Sequence, residues 1–145
     1  MKGRDNLHEN PFGFKPRFSS HLGHKIRSRL EEEGYTILKN LGISYEHEPP
    51  IGYKNGSYRP DAVINGKVIV EFKGFFPQAS VRKMLDFKRG WAETYEILLV
   101  VYDRQYRKFV GWKGRFANDV IKLGDFYQYC VKRWVKKPIA KPMYT

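Results

Sequence analysis

Asp61, Glu71 and Lys73 are the residues whose types and spacing could do chemistry in this chain. Glu71 and Lys73 stand two apart in the Val- and Ile-rich run VIVEFKG, so on a strand their side chains share one face and Phe72 takes the other. Asp61 follows Pro60 upstream in YRPDAVI, at the head of the strand expected to pair with that run. Two carboxylates converging on one point repel each other unless a cation lies between them. Mg²⁺ suits that place, because it binds through one or two carboxylates, keeps several waters and takes further ligands from phosphate. The chemistry such a set can perform is metal-assisted hydrolysis of a phosphodiester. Asp61 and Glu71 hold the ion, while Lys73 orients the attacking water and offsets the charge developing at phosphorus. The competing reading is a structural ion pair at a strand end. General acid–base catalysis without a metal explains less, since it gives no reason for two acids beside one lysine.

The elements that must position these groups follow from periodicity. Asp61 to Ile64 and Lys67 to Lys73 read as two strands joined through Asn65-Gly66, a hairpin signal. A two-residue turn would set Asp61 opposite Val70 and send the two acids to different faces. A three-residue loop of Ile64, Asn65 and Gly66 pairs Asp61 with Ile69 and returns Asp61, Glu71 and Lys73 to one face, so the odd-numbered loop is expected. Between Lys25 and Leu41, apolar residues fall at helical spacing ahead of Gly42, which predicts one amphipathic helix with a left-handed cap. On that helix Glu31 lies at the edge of the apolar stripe and Glu32 points to solvent, so Glu31 alone can reach a site beside the core. Ile43 to Glu48 reads as a strand ended by Pro49-Pro50, and Gly52 to Ser57 as a turn.

Downstream, Ser80 to Lys88 reads as a helix with Ser80 as N-cap, and EILLVV within Tyr95 to Tyr102 as an interior strand covered on both faces. A short strand is expected around Lys108 to Trp112, then one or two helices between Phe116 and Trp134, broken near Gly124. The fold class is α/β, a twisted mixed sheet flanked by helices. A basic flexible arm (1–23) and a basic tail (136–145) bracket one domain (24–135).

Composition bounds the partners. With 27 Lys plus Arg against 15 Asp plus Glu the formal charge is +12, which points to a polyanion, nucleic acid by default. No apolar run is long enough to span a bilayer, so no membrane partner is expected. Cys130 is the single cysteine, which leaves no internal disulfide and no thiolate cluster; a reducing, cytoplasmic setting fits. It reads as a buried filler. His8, His21, His24 and His47 do not fall at metal-ligand spacing, and His21 and His24 are expected to face solvent. The first 23 residues carry no secretion signal but mix Lys15 and Arg17 with Phe12, Phe14 and Phe18. They are either a loose terminus or a segment that orders on a phosphate backbone with aromatic faces for unpaired bases. Lys25, Arg27, Arg29, Arg82 and Lys83 are further candidate phosphate contacts, against solvated charge as the plain alternative.

Pro60-Asp61 followed by Glu71-Phe72-Lys73 resembles the PD-(D/E)xK nuclease core. A longer stretch, IRSRLEEEGYTILKNLGISYEHEP and then YRPDAVINGKVIVEFKG, is similar to the junction-resolving endonuclease I family of short-tailed coliphages. That family's helix opens with a similar Arg-Ser-x-Leu-Glu and runs into Gly-Ile-x-aromatic-Glu. The likeness covers Ile26 to Gly74 and continues more loosely through EILLVVYD to Trp134. It implies a restriction-endonuclease-like core, with Glu31, Glu46, Asp61, Glu71 and Lys73 as catalytic residues. It further implies one or two Mg²⁺ or Mn²⁺ ions on Asp61, Glu71, Glu31 and the backbone carbonyl of Phe72, and cleavage of branched DNA to 5′-phosphate and 3′-hydroxyl ends. The family's symmetric, strand-exchanged homodimer would have Glu31 of one chain complete the site of the other, and a phage origin would place the protein in the host cytoplasm. The stretch between Glu46 and Asp61, which carries the family's bridge between the dimer halves, is shorter here. Two alternatives stay open: a nicking or DNA-degrading endonuclease without junction preference, and a non-catalytic basic DNA-binding or packaging protein.

Overall fold

The apolar runs of the chain become the interior of one sheet. The computed structural model describes residues 14–54, 56–74, 78–91 and 94–135. The expectations for residues 1–13 and for the tail 136–145 lie outside the described residues. VIVEF forms β7 (Val68–Phe72) and EILLVV forms β8 (Glu96–Val101), and both are buried almost throughout. They pair in parallel at the centre of a five-stranded sheet ordered β3-β6-β7-β8-β9, with β3 (Glu46–His47), β6 (Ala62–Ile64) and β9 (Asp119–Lys122) as the other members. The β3–β6 and β6–β7 pairings are antiparallel and β8–β9 is parallel, so the sheet is mixed as expected.

Alternation along the strands sends residues to two cores. Val70, Phe72, Leu98 and Val100 join α1 (Arg29–Asn40) and α4 (Leu123–Trp134) on one face. Ile69, Ile97, Leu99 and Val101 meet α2 (Gln78–Trp91) on the other. This two-sided cover explains the near-continuous apolar sequence of the parallel strands.

Helix α1 begins at Arg29, later than the periodicity predicts, because Ser28 takes the N-cap position and its Oγ accepts the Glu31 N–H at 3.0 Å. Lys25 and Ile26 belong instead to β2 (His24–Ile26), which pairs antiparallel with β1 (Arg17–Ser19). The latter half of the expected loose arm is therefore a hairpin. His24 does not face solvent either: its Nε2 bonds Tyr45 Oη at 2.6 Å, and its ring stacks on His47 with centroids 3.7 Å apart. At the other end of α1, Gly42 (φ 72°) places its N–H on Lys39 C=O and the Ile43 N–H on Leu38 C=O, the pattern of a Schellman cap.

The β6–β7 hairpin has the expected three-residue loop, shifted by one. Ile64 pairs with Val68, leaving Asn65, Gly66 and Lys67 between them. Asn65 (φ 56°) and Gly66 (φ 68°) both adopt the left-handed conformation that an Asn-Gly turn favours, which fixes the turn on those two and makes Lys67 the extra residue. Asp61 thus falls across from Glu71 rather than Ile69, and the parity that unites the acids is kept.

Elsewhere local chemistry overrode the sequence expectation. Gly52, Tyr53, Gly56 and Ser57, expected in a turn, belong to a small hairpin of β4 (Ile51–Tyr53) and β5 (Gly56–Tyr58). Helix α2 starts before Ser80, which therefore is not its N-cap. The expected strand at Lys108 to Trp112 is α3 (Tyr106–Phe109) followed by a 3₁₀ turn, since Tyr106, Phe109 and Trp112 recur at i, i+3 spacing. Residues 119–122 are strand, not helix, with Val120 and Ile121 pointing into opposite cores. Helix α4 then runs unbroken through Gly124.

Gly34 is where α1 rests on the sheet, and a Cβ there would overlap the Phe72 ring. Helix propensity favours alanine at such a position by about 1 kcal/mol, but a ring packed in a core yields little. Gly34→Ala should therefore destabilise the protein by about 1–3 kcal/mol, read as a lower denaturation midpoint. Adding Phe72→Leu should recover part of that loss in a double-mutant cycle.

Candidate functional site

The end of β7 and the start of β6 gather the acids. Asp61 sits one residue ahead of β6, and its Oδ2 accepts the Phe72 N–H at 2.7 Å. Its carbonyl accepts the Tyr35 hydroxyl at 2.6 Å and the Glu48 N–H at 3.0 Å. Glu71 lies 3.6 Å from Lys73 Nζ and also takes a hydrogen bond from the Asp61 backbone. The Lys73 N–H bonds Val100 C=O at 3.0 Å, so the parallel neighbour β8 steadies this strand end. Glu31 approaches from the side of the sheet that α1 covers. Its backbone N–H is held by the Ser28 cap and its Oε1 accepts the Arg27 N–H at 3.0 Å.

Glu31, Asp61 and Glu71 are the buried acids among the described residues, at 7%, 9% and 2% exposure. Carboxylates out of water are costly unless paired, and Lys73 is the lysine the structure sets among them. Burial first, then repulsion from Asp61, pushes the Glu31 carboxyl up to about 8. Burial raises Asp61 and Glu71 too, against the pull of Lys73 on each. Burial alone would lower the Lys73 ammonium, but the charges of Glu71, Asp61 and Glu31 outweigh it and hold the amine above its ordinary value. Lys73 is therefore a fixed cation, not a base.

Among the described residues no three carboxylate, imidazole or thiol groups converge tightly enough to cage a metal ion. Glu31 and Asp61 each have one oxygen committed to a backbone N–H, and Glu71 is drawn to Lys73 and to the Asp61 backbone. Two of these buried carboxylates, Asp61 and Glu71, are of the oxygen type a hard divalent ion takes. Asp61 and Glu71 would hold such an ion, with Glu31 beside them and the Phe72 carbonyl at the same strand end.

Four of the five expected catalytic residues come together: Glu31, Asp61, Glu71 and Lys73. In the chain described, Glu31, Asp61, Glu71 and Lys73 all come from one molecule. Glu46 does not join them; it is exposed, across from Val63, and shares none of the interactions above. Glu48, two residues on, contacts Asp61 instead. It adopts φ 51°, donates its N–H to Asp61, and pairs with the Arg27 guanidinium. Two acids flank His47 in EHEPP, and only the left-handed twist before Pro49 decides between them.

Of the expected phosphate contacts, Arg27 is engaged by Glu48 and Arg17 by Glu32 at 2.7 Å, whereas Lys15, Lys25, Arg29, Arg82 and Lys83 are exposed. The sequence reading missed a second basic strip. Arg104, Arg107, Lys108, Lys113 and Arg115 are exposed around α3, while Asp103 of the same segment accepts the Gly124 N–H at 2.9 Å. Gln105 Nε2 bonds Gly74 C=O at 3.0 Å, which fixes this strip beside the end of β7. Its signal was the run of cations over YDRQYRKFVGWKGR. Comparison with protein-family models and with curated proteins finds no match to this chain.

Because the folded protein holds the Glu31 proton more tightly than the unfolded chain, this carboxyl contributes stability that is complete below about 4.5 and lost as pH rises through about 8. In chelator-treated buffer, chemical denaturation at a series of pH values should show stability falling across that window by up to about 1.4 kcal/mol per pH unit for such a group. Glu31→Gln should flatten the slope.

Proposed function

We propose that this chain is a metal-dependent endodeoxyribonuclease with a restriction-endonuclease-like core, acting on branched DNA and leaving 5′-phosphate and 3′-hydroxyl ends. The observation that carries the reading is the gathering of Glu31, Asp61 and Glu71, all buried, around Lys73 at one strand end of a chain with charge +12. Burying three carboxyl groups together raises their proton affinity, and a divalent cation is the partner that would let them ionise there.

A divalent ion held there, Mg²⁺ or Mn²⁺, would supply an acidified water and polarise the scissile phosphate. The protein's own groups do the rest. Asp61 and Glu71 offer their oxygens from adjacent strands, fixed by the Phe72 and Asp61 backbone bonds. Glu31 adds a third carboxylate, set by its capped helix turn. Lys73, kept protonated by its neighbours, donates hydrogen bonds to the attacking water and to the charge that develops on the phosphate oxygens. Exposed Lys25, Arg29 and the strip from Arg104 to Arg115 engage flanking phosphates. A homodimer would match the twofold symmetry of a four-way junction.

A second reading, a basic DNA-binding protein whose acids are structural, draws on the hydrogen bonds that already occupy those carboxylates. The two separate on a synthetic four-way junction assayed with Mg²⁺ or Mn²⁺. Asp61→Asn and Lys73→Ala should each reduce cleavage by at least about a hundredfold, while junction binding in Ca²⁺ persists. Equal cutting by both variants and the unaltered protein would sink the site assignment, and no metal-dependent cutting by the unaltered protein would favour the second reading.

Glu46 and Glu48 give a finer check. Glu48→Gln removes the partner of Arg27 beside Asp61, so it should slow cleavage clearly, and Glu46→Gln should leave the rate within about twofold. The reverse order, measured under single-turnover conditions, would return the role to Glu46.

A further inference from the structure

The β1–β2 hairpin has an inner face and an outer face, and only the inner one is explained by folding. On the inner side Ile26 is fully buried, Ser19 is buried, Arg17 bonds Glu32 of α1, and His24 is fixed by Tyr45 and His47. Phe18 and Lys25 stand opposite each other in register on the outer side, both exposed. Phe18 is 66% exposed, more than Tyr127, the other large apolar side chain in water among the described residues. Leaving a phenyl ring in solvent forgoes part of its burial free energy, and here the ring is held out by a pinned hairpin rather than by a loose end.

The neighbourhood indicates what would cover it. Lys25 stands across from the ring and exposed Lys15 lies three residues before it in the chain, so an approaching second copy of this chain would bring like charges together, whereas a polyanion is attracted. An aromatic face next to an ammonium is the pair that takes a nucleotide with its base unstacked: the ring lies on the base and the ammonium meets the phosphate. The position also fits. β2 runs straight into Arg27, whose N–H holds Glu31, so the hairpin adjoins the acid cluster.

We propose that Phe18 and Lys25 form a stacking subsite for an unpaired or branch-point nucleotide of DNA. This deepens the nuclease reading, on which its placement rests, by naming what distinguishes branched from continuous duplex.

The test is binding by the full chain in Ca²⁺ to a four-way junction, to a duplex with a short single-stranded gap, and to a continuous duplex. Phe18→Ala should weaken junction and gap binding by about tenfold or more and leave the continuous duplex unchanged, while Phe18→Trp keeps the preference. 2-Aminopurine at the branch point should be quenched by the unaltered protein and by Phe18→Trp, but not by Phe18→Ala. Equal loss on all three DNAs, no loss on any, or conversion of a dimer to a monomer by Phe18→Ala in sedimentation would overturn the proposal. Because binding is read without cutting, the two readings fail separately. A stacking preference that persists when Mg²⁺ produces no cleavage upholds the subsite and rejects the nuclease, and metal-dependent cleavage with no effect of Phe18 does the reverse.

Discussion

Three carboxylates held out of water around one lysine are the constraint on which the rest of this structure turns. Each acid comes from a different segment, and burial raises the proton affinity of all three. A fold gains nothing by assembling such a group for its own sake, since apolar side chains of similar volume would pack at less cost. The arrangement makes physical sense as a vessel for positive charge. Lys73 provides part of that charge permanently, and the electrostatic deficit left over is what a divalent ion would fill.

The scaffold serves this group in a graded way. Parallel pairing with β8 holds the end of β7 and the antiparallel hairpin sets Asp61 across from Glu71. Close packing of Gly34 on Phe72 seats α1, and the Ser28 cap turns its first residues toward the strand end. The two apolar cores on either side of the sheet supply rigidity while contributing no chemistry of their own. Basic side chains are distributed over the hairpin β1–β2 and the segment around α3, near the acids but outside the buried cluster. Low dielectric inside and dense positive charge outside are thus kept apart.

Much of this was legible in the sequence, for reasons that differ from residue to residue. VIVEF and EILLVV read as strands because continuous β-branched runs have few other homes, and strand parity alone placed Glu71 with Lys73. Helical phase singled out Glu31 over Glu32, and the structure buries the first while the second pairs with Arg17 at the surface. The hairpin parity came out right although the loop sat one residue off, because the face depends only on whether the loop count is odd or even. What escaped was decided by tertiary contact. DVIK was hidden among aromatics at helical spacing, and it is a strand because β8 needs a parallel neighbour. Glu48 rather than Glu46 bonds Asp61, through a single left-handed residue before two prolines, a choice no periodicity records.

The bond from the Phe72 amide to Asp61 Oδ2 gives position 61 two separate duties in one side chain. An acceptor there anchors the terminus of the central strand; a negative charge there shapes the electrostatics of the buried acids. Asparagine can serve the first duty without the second, and alanine serves neither. Drift at this position is consequently hemmed in twice, once by the architecture and again by the chemistry. On the proposed nuclease reading, an inactive descendant would lose its charge here before it lost its shape.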